Sequence, residues 1–317
     1  MPTSGIRAIG GRVIEDQANF DEIRTMIPSS SFYGEYHGHK VGHLEAVIEK
    51  LGKKPKIFLC GDSSLDNKFW LLGSGMERAV NGMESILSPP KSYPDVAHQI
   101  NALTVEMGHN LACINCAVEE STISARSPPV LMEQDRLVQK SVREGVDFVV
   151  ICSGGNDVVL RPTLSTIASL ISLLCCSSES SLADGSAWGL NHFVSLFRDA
   201  YGDYIRRLCV NKPKAVVVCM VYYPQHSLPG VHSWADGSLG MMGYNRDPEN
   251  LKRVMQAVFN FAVKRITPPE GTILIPLALY DVLDPGSAVD YIERVEPSKE
   301  GGAKMAAAIL KSLQPYL

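Results

Sequence analysis

Lysine and arginine run together only in pairs such as Lys53-Lys54 in this 317-residue chain. The net charge is −4. With no basic run or patch, nothing in the composition draws the chain to nucleic acid or to an anionic membrane surface. Long hydrophobic runs are missing too. The longest, Ile167–Cys176 and Ala215–Val221, are about half of the ~20 residues a spanning helix needs, so no integral membrane segment is expected. The opening MPTSGIRAIGGR lacks the apolar stretch of a secretory signal. The eight cysteines sit mostly in apolar segments, where a free thiol behaves as a small hydrophobe. Together these features point to a reducing, cytoplasmic setting.

Cofactor motifs are equally scarce. Cys113-Ile-Asn-Cys116 has redox or metal spacing, but it lies in a strand-like run with no second such pair. Gly73-Ser-Gly75 follows a helical pattern, and Arg78 stands where a dinucleotide fingerprint needs its third glycine. His37, His39 and His43 have no carboxylate or cysteine at fixed spacing, so a polar helix start explains them better than a metal site. No cofactor or metal is expected. What is present is ordinary globular material, 45% hydrophobic and 20% charged, enough for a sizeable core.

Five apolar, β-rich runs give that core its plan: Lys56–Cys60, Leu111–Asn115, Val146–Cys152, Ala215–Val221 and Thr272–Pro276. Near-continuous hydrophobic strands mark a parallel sheet covered on both faces. Helical patterns alternate with them over Pro94–Gly108, Val130–Gly145, Leu164–Cys176, Trp188–Val210, Pro248–Ile266 and Lys299–Leu313. Strand–helix alternation predicts right-handed βαβ units in an α/β class fold, a three-layer α/β/α sandwich on a five-stranded parallel sheet. Residues 1–50 contain one helical pattern, His43–Leu51, and read as an N-terminal extension packed on a domain of residues 51–317. Ser177–Ser186 is a polar insertion between two helices.

In such a sheet, reactive groups belong at the carboxyl ends of the strands. The first loop carries Gly61-Asp62-Ser63, with Ser64, Leu65, Asp66 and Asn67 behind it. Gly61 permits a tight turn. Ser63 then falls at the start of a predicted helix, Leu65–Leu72, where free N–H groups favour negative charge. A helix cap by Ser63 or Asp62 is the structural alternative. The third loop, Gly154-Gly155-Asn156-Asp157, brings an amide to the same sheet edge. That amide is suited to holding an oxyanion or, more plainly, to forming a turn.

Gly-Asp-Ser-Ser-Leu-Asp-Asn after the first strand and Gly-Gly-Asn-Asp after the third resemble the first and third sequence blocks of the SGNH hydrolases, the GDSL esterase/lipase family. The resemblance implies a flavodoxin-like SGNH hydrolase fold. It also implies a nucleophile at Ser63 and oxyanion donors from the Ser63 N–H, a backbone N–H near Glu120 and the Asn156 side chain. Asp62, Asp66, Asn67, Gly155 and Asp157 are the supporting positions it marks.

Two departures stand out. Asn115 is followed, at the spacing of the family's glycine, by Glu120. A backbone N–H survives that exchange, but a carboxylate beside an oxyanion repels it unless it turns away. The family's terminal Asp-x-x-His-Pro reads here Glu293-Arg-Val-Glu296-Pro297, and His232 is the last histidine of the chain. An imidazole titrates near neutrality, whereas an unperturbed glutamate is a weaker base by about two units. Glu293 and Glu296 could share a proton, which raises one pKa. His226 and His232, in the loop after the fourth strand, are the alternative bases.

The expected activity is hydrolysis of a small-molecule ester or acyl substrate through an acyl-Ser63 intermediate, with Glu296 assisted by Glu293 as base. The competing expectation is a catalytically impaired relative that binds a ligand or partner in the cleft.

Overall fold

The computed structural model describes residues 26–126, 131–230 and 232–317. Residues 1–25 of the extension and the expected helix start at Val130 lie outside them.

Strands β1 (Lys56–Gly61), β2 (Ala112–Asn115), β3 (Phe148–Cys152), β4 (Ala215–Met220) and β5 (Ile273–Ala278) form one five-stranded sheet in the order β2-β1-β3-β4-β5. Every pairing in it is parallel. This is the flavodoxin-like strand order of doubly wound α/β proteins. Successive residues of each inner strand point to opposite faces, and both faces are dry. Phe58, Cys60, Val149, Ile151, Val216 and Val218 belong to one apolar cluster. Ile57, Leu59, Phe148, Val150, Val217 and Cys219 belong to the other.

The first cluster is closed by helices α1 (Val41–Leu51), α3 (Glu133–Ser141), α4 (Leu164–Cys176), α5 (Leu190–Val194), α6 (Tyr201–Leu208) and α7 (Pro248–Phe261). The second is closed by α2 (Val96–Glu106) and α8 (Lys299–Leu313). Three layers result.

The structure departs from the sequence expectation in three places. β5 continues through Pro276 to Ala278, because β5 is an edge strand, where the missing proline N–H costs no ladder bond. The single helix expected over Trp188–Val210 is α5 and α6 joined by a π-helical segment, Ser195–Ala200. No α-helix follows Ser63. Leu65 and Asp66 donate their N–H groups to Asp62 O, and a 3₁₀ helix begins only at Phe69. The helix-dipole argument for Ser63 therefore falls away, and so does the simple cap.

Candidate active site

Gly61 ends β1 with φ 127°. A Cβ there would stand 1.7 Å from Cys152 O, so only glycine lets the chain turn this close to β3. Ser63 follows in the turn and is 8% exposed. Its N–H makes no hydrogen bond among the described residues. Asn156 comes off β3 through Gly154, whose φ is 104° and whose Cβ would strike Phe197 of the π-helical segment at 2.5 Å. The Asn156 side chain donates one N–H to Ser121 O at 3.1 Å, and its second N–H has no partner among the described residues. Asp157 accepts from Ile123 N, Ser124 N and Ser124 Oγ at 2.8, 3.1 and 2.6 Å, which locks the third loop to the second.

In the second loop, Glu120 takes a left-handed backbone, φ 58°, the conformation that suits a glycine at this spacing. Its N–H has no partner among the described residues. Its carboxylate turns outward, accepting from Tyr36 OH at 3.3 Å and lying 3.6 Å from the Arg161 guanidinium. The carboxyl that stays inside is Glu119, which no sequence motif marks. Glu119 is buried, with Oε1 3.4 Å from Trp70 Nε1 and Oε2 unpartnered among the described residues. Its adjacency to Glu120 was the only signal that could have drawn attention to it.

Asp66 and Asn67 tie the loops together. Asp66 Oδ2 accepts from Glu119 N at 3.1 Å and from Gly38 N at 2.9 Å, while Oδ1 takes the buried Lys68 ammonium at 2.6 Å. Asn67 accepts from Val96 N at 3.2 Å and donates to Pro297 O at 3.3 Å. The loop carrying Ser63 is thus fastened to the segment carrying Glu296. Gly61 O is held by Arg126 Nη2 at 2.9 Å and Ser121 Oγ at 3.0 Å. Asp62 accepts from Ser64 N at 3.1 Å.

Glu296 pairs with Glu293 across a short antiparallel hairpin, Tyr291–Glu293 with Glu296–Pro297. Glu296 is 2% exposed, and its Oε1 lies 3.5 Å from Ser63 Oγ. That contact is longer than the ~2.7 Å of a settled hydroxyl–oxygen bond. Burial pushes the Glu296 carboxyl well above the ordinary carboxylate range, and the charges of Glu119 and Asp62 push it further. The Ser63 hydroxyl opposes the rise slightly, and Glu293 adds to it least. Burial raises Glu119 to about 8 and Asp62 to about 6. The carboxyl that loads Glu296 is therefore chiefly Glu119, where the sequence pointed to Glu293.

Among the described residues no histidine hydrogen-bonds this serine. His226 donates its backbone N–H to Pro285 O, and its ring lies 6.0 Å from that of Tyr244. His232 is exposed. Neither makes a hydrogen bond to Ser63. His37 Nδ1 is 3.2 Å from Glu119 O, and His39 Nδ1 is 2.7 Å from Phe32 O. Among the described residues no group of three or more metal-ligating side chains converges, and none of the described helices is long and apolar enough to cross a membrane. Cys113 and Cys116 are buried, and burial raises both thiols, which leaves them unreactive.

Ser63, Asn156, Asp62 and Glu296 face one cavity of about 110 Å³ that opens to solvent. Its remaining walls are mostly apolar side chains from α4, the α5–π segment, the end of β4 and α7.

No family model matches this sequence, and no curated protein matches it. Solved structures similar to it include an extracellular lipase from Streptomyces rimosus, at 14% identity over 83% of this chain and 100% of that one, with a TM-score of 0.42. A variant of the Geobacillus acetyl-xylooligosaccharide esterase Axe2 gives 18% identity over 83% and 96%, with the same TM-score. The psychrotrophic esterase EstA from Pseudoalteromonas gives 11% over 82% and 97%, again at 0.42. At such low identity and TM-score, no activity of this chain follows from theirs.

Proposed function

We propose that this chain is a serine ester hydrolase in which a buried glutamate replaces the usual imidazole. The observation that carries the reading is Glu296. Its carboxyl is buried against the Ser63 hydroxyl, in an environment that raises its proton affinity. A general base must hold a proton well enough to take it from a hydroxyl, and enzymes reach that condition by burying glutamate. In the reaction, ionised Glu296 accepts the Ser63 proton as Oγ bonds to the ester carbonyl carbon. The carbonyl oxygen becomes an oxyanion beside the Ser63 N–H, the Glu120 N–H and the free amide hydrogen of Asn156. Collapse breaks the C–O bond and the leaving alkoxide takes the proton from Glu296. Water then repeats the sequence on the acyl-enzyme.

A pH–rate profile on a p-nitrophenyl ester tests this. The rate is expected to rise with pH, by up to about tenfold per unit, over the range in which Glu296 is still mostly protonated. Ser63 is expected to label with a fluorophosphonate and Ser63→Ala is not. A flat profile, or equal labelling of the two forms, counts against it.

One observation favours the second reading, a binding protein without turnover: burial and the neighbouring carboxyls make Glu296 release its proton later than a free glutamate does, and among the described residues no histidine hydrogen-bonds Ser63. Absence of labelling at every pH, with ligand binding kept, would select it.

A further inference from the structure

The walls of the cavity behind Ser63 differ sharply by origin. The loops at the sheet edge and the hairpin supply Asp62, Ser63, Ser64, Asn156 and Glu296. The helical walls supply aliphatic and phenyl groups, among them Leu170, Phe193, Leu251, Val254, Met255 and Val258. No charged side chain comes from those helices. A sugar or a peptide placed there would lose its hydrogen bonds to water without replacement, at a cost of roughly 1–3 kcal/mol per group. A hydrocarbon chain would lose nothing and gain burial.

We propose that this cavity is the site for a linear medium- or long-chain acyl group, whose carbonyl rests at Ser63 and Asn156 and whose tail runs between α4 and α7. The assignment deepens the ester hydrolase reading, because it names the acyl side of the substrate. Trp234 lines the cavity and is 43% exposed. The head of the ligand must be neutral. Asp62 and Glu296 line this end of the cavity, so an ester or amide is accepted where a free carboxylate is repelled once these carboxyls ionise.

Two arms test the proposal and keep its failure apart from that of the hydrolase reading. In the first, p-nitrophenyl esters from acetyl to palmitoyl are compared. kcat/KM is expected to climb about fourfold per added methylene and to level off where the tail meets the cavity end. Val254→Trp on α7 and Leu170→Trp on α4 should each move that plateau to shorter chains, and Met255→Ala to longer ones, in variants whose circular dichroism matches the parent. In the second arm, decanamide is titrated calorimetrically into Ser63→Ala. Binding is expected there, with acetamide at least 100-fold weaker, decanoate weaker than decanamide above neutral pH, and a loss of at least tenfold when Val254→Trp is added. If no ester is hydrolysed but decanamide binds in this pattern, hydrolysis fails and the acyl site stands. A maximum at acetyl with no decanamide binding overturns the acyl site, even if hydrolysis is confirmed.

Discussion

Replacing Glu296 by glutamine should stabilise the protein while abolishing hydrolysis, and the stabilisation should grow with pH. Glu296 has a folded-state proton affinity well above that of a free glutamate. Below the ordinary carboxyl pKa of about 4.3 both folded and unfolded chains hold the proton, and ionisation contributes nothing. As pH rises above that point the unfolded chain releases its proton and the folded chain does not, so unfolding becomes progressively easier. The loss runs at up to about 1.4 kcal/mol per pH unit until the folded-state pKa is passed. Glutamine keeps the shape and the neutral character without this penalty. Glu119 reinforces the effect, since it ionises near 8 and its charge then holds the proton on Glu296 more firmly. Urea unfolding of parent and Glu296→Gln at pH 5, 6, 7 and 8 reads the difference. With a slope of about 3 kcal/mol/M for a chain of this size, the midpoints should separate by up to roughly a further 0.5 M per unit while the pH stays below the folded-state pKa. Over the same range hydrolysis should fall by about 10³-fold or more, because the amide cannot take the serine proton. An equal stability change at pH 5 and pH 8, or a gain that shrinks as pH rises, would refute the placement of a high-affinity proton on Glu296.

The sheet was legible because its inner strands are apolar on both faces, so that Phe148–Cys152 and Ala215–Met220 read as unbroken runs that no surface strand would show. The loops at its carboxyl edge followed from topology alone. Local geometry was harder. The turn after Ser63 is set by Gly61 passing Cys152 and by the Asp62 carbonyl accepting two N–H groups. Both are consequences of the neighbouring strand, and residues 65–72 alone suggest a helix. The choice between Glu119 and Glu120 was also hidden. A left-handed residue at 120 throws one carboxylate out to Arg161 and leaves its neighbour inside, and adjacent acids carry no mark of which one turns. The same holds for Asn67, whose two partners lie 29 and 230 residues away. The cavity was least accessible of all, since α4 and α7 meet over it from opposite sides of the insertion and of β4.

Asn156→Ala should lower kcat by about 10²-fold with little change in KM; a change confined to KM would assign the amide to ground-state binding. Asn67→Ala removes the partner of Val96 N and the donor to Pro297 O, and should cost about 1–3 kcal/mol in chemical unfolding. It should also lower kcat by loosening the Glu296 segment, and full activity in a destabilised variant would deny that positioning role. Gly61→Ala should not give a folded protein at 25 °C, because backbone at Cys152 O cannot yield the space a methyl needs; a cooperative melt near that of the parent would contradict the turn as described. The exchange Glu296→His, made with Glu293→Asp, separates the two readings of the site. Burial disfavours charge, so it raises a carboxyl and lowers an imidazole. The same dry position that makes Glu296 a stronger base would make histidine a weaker one, were it not for Asp62 and Glu119, whose charges favour imidazolium. With those opposed effects the double variant should work near or below neutrality, whereas the parent's raised carboxyl keeps its proton longer than a free glutamate. Its pH–rate curve should therefore reach its plateau at lower pH than the parent's. A double variant that folds, labels at Ser63 and keeps the parent's rise through alkaline pH would show that residue 296 is not the base in either form.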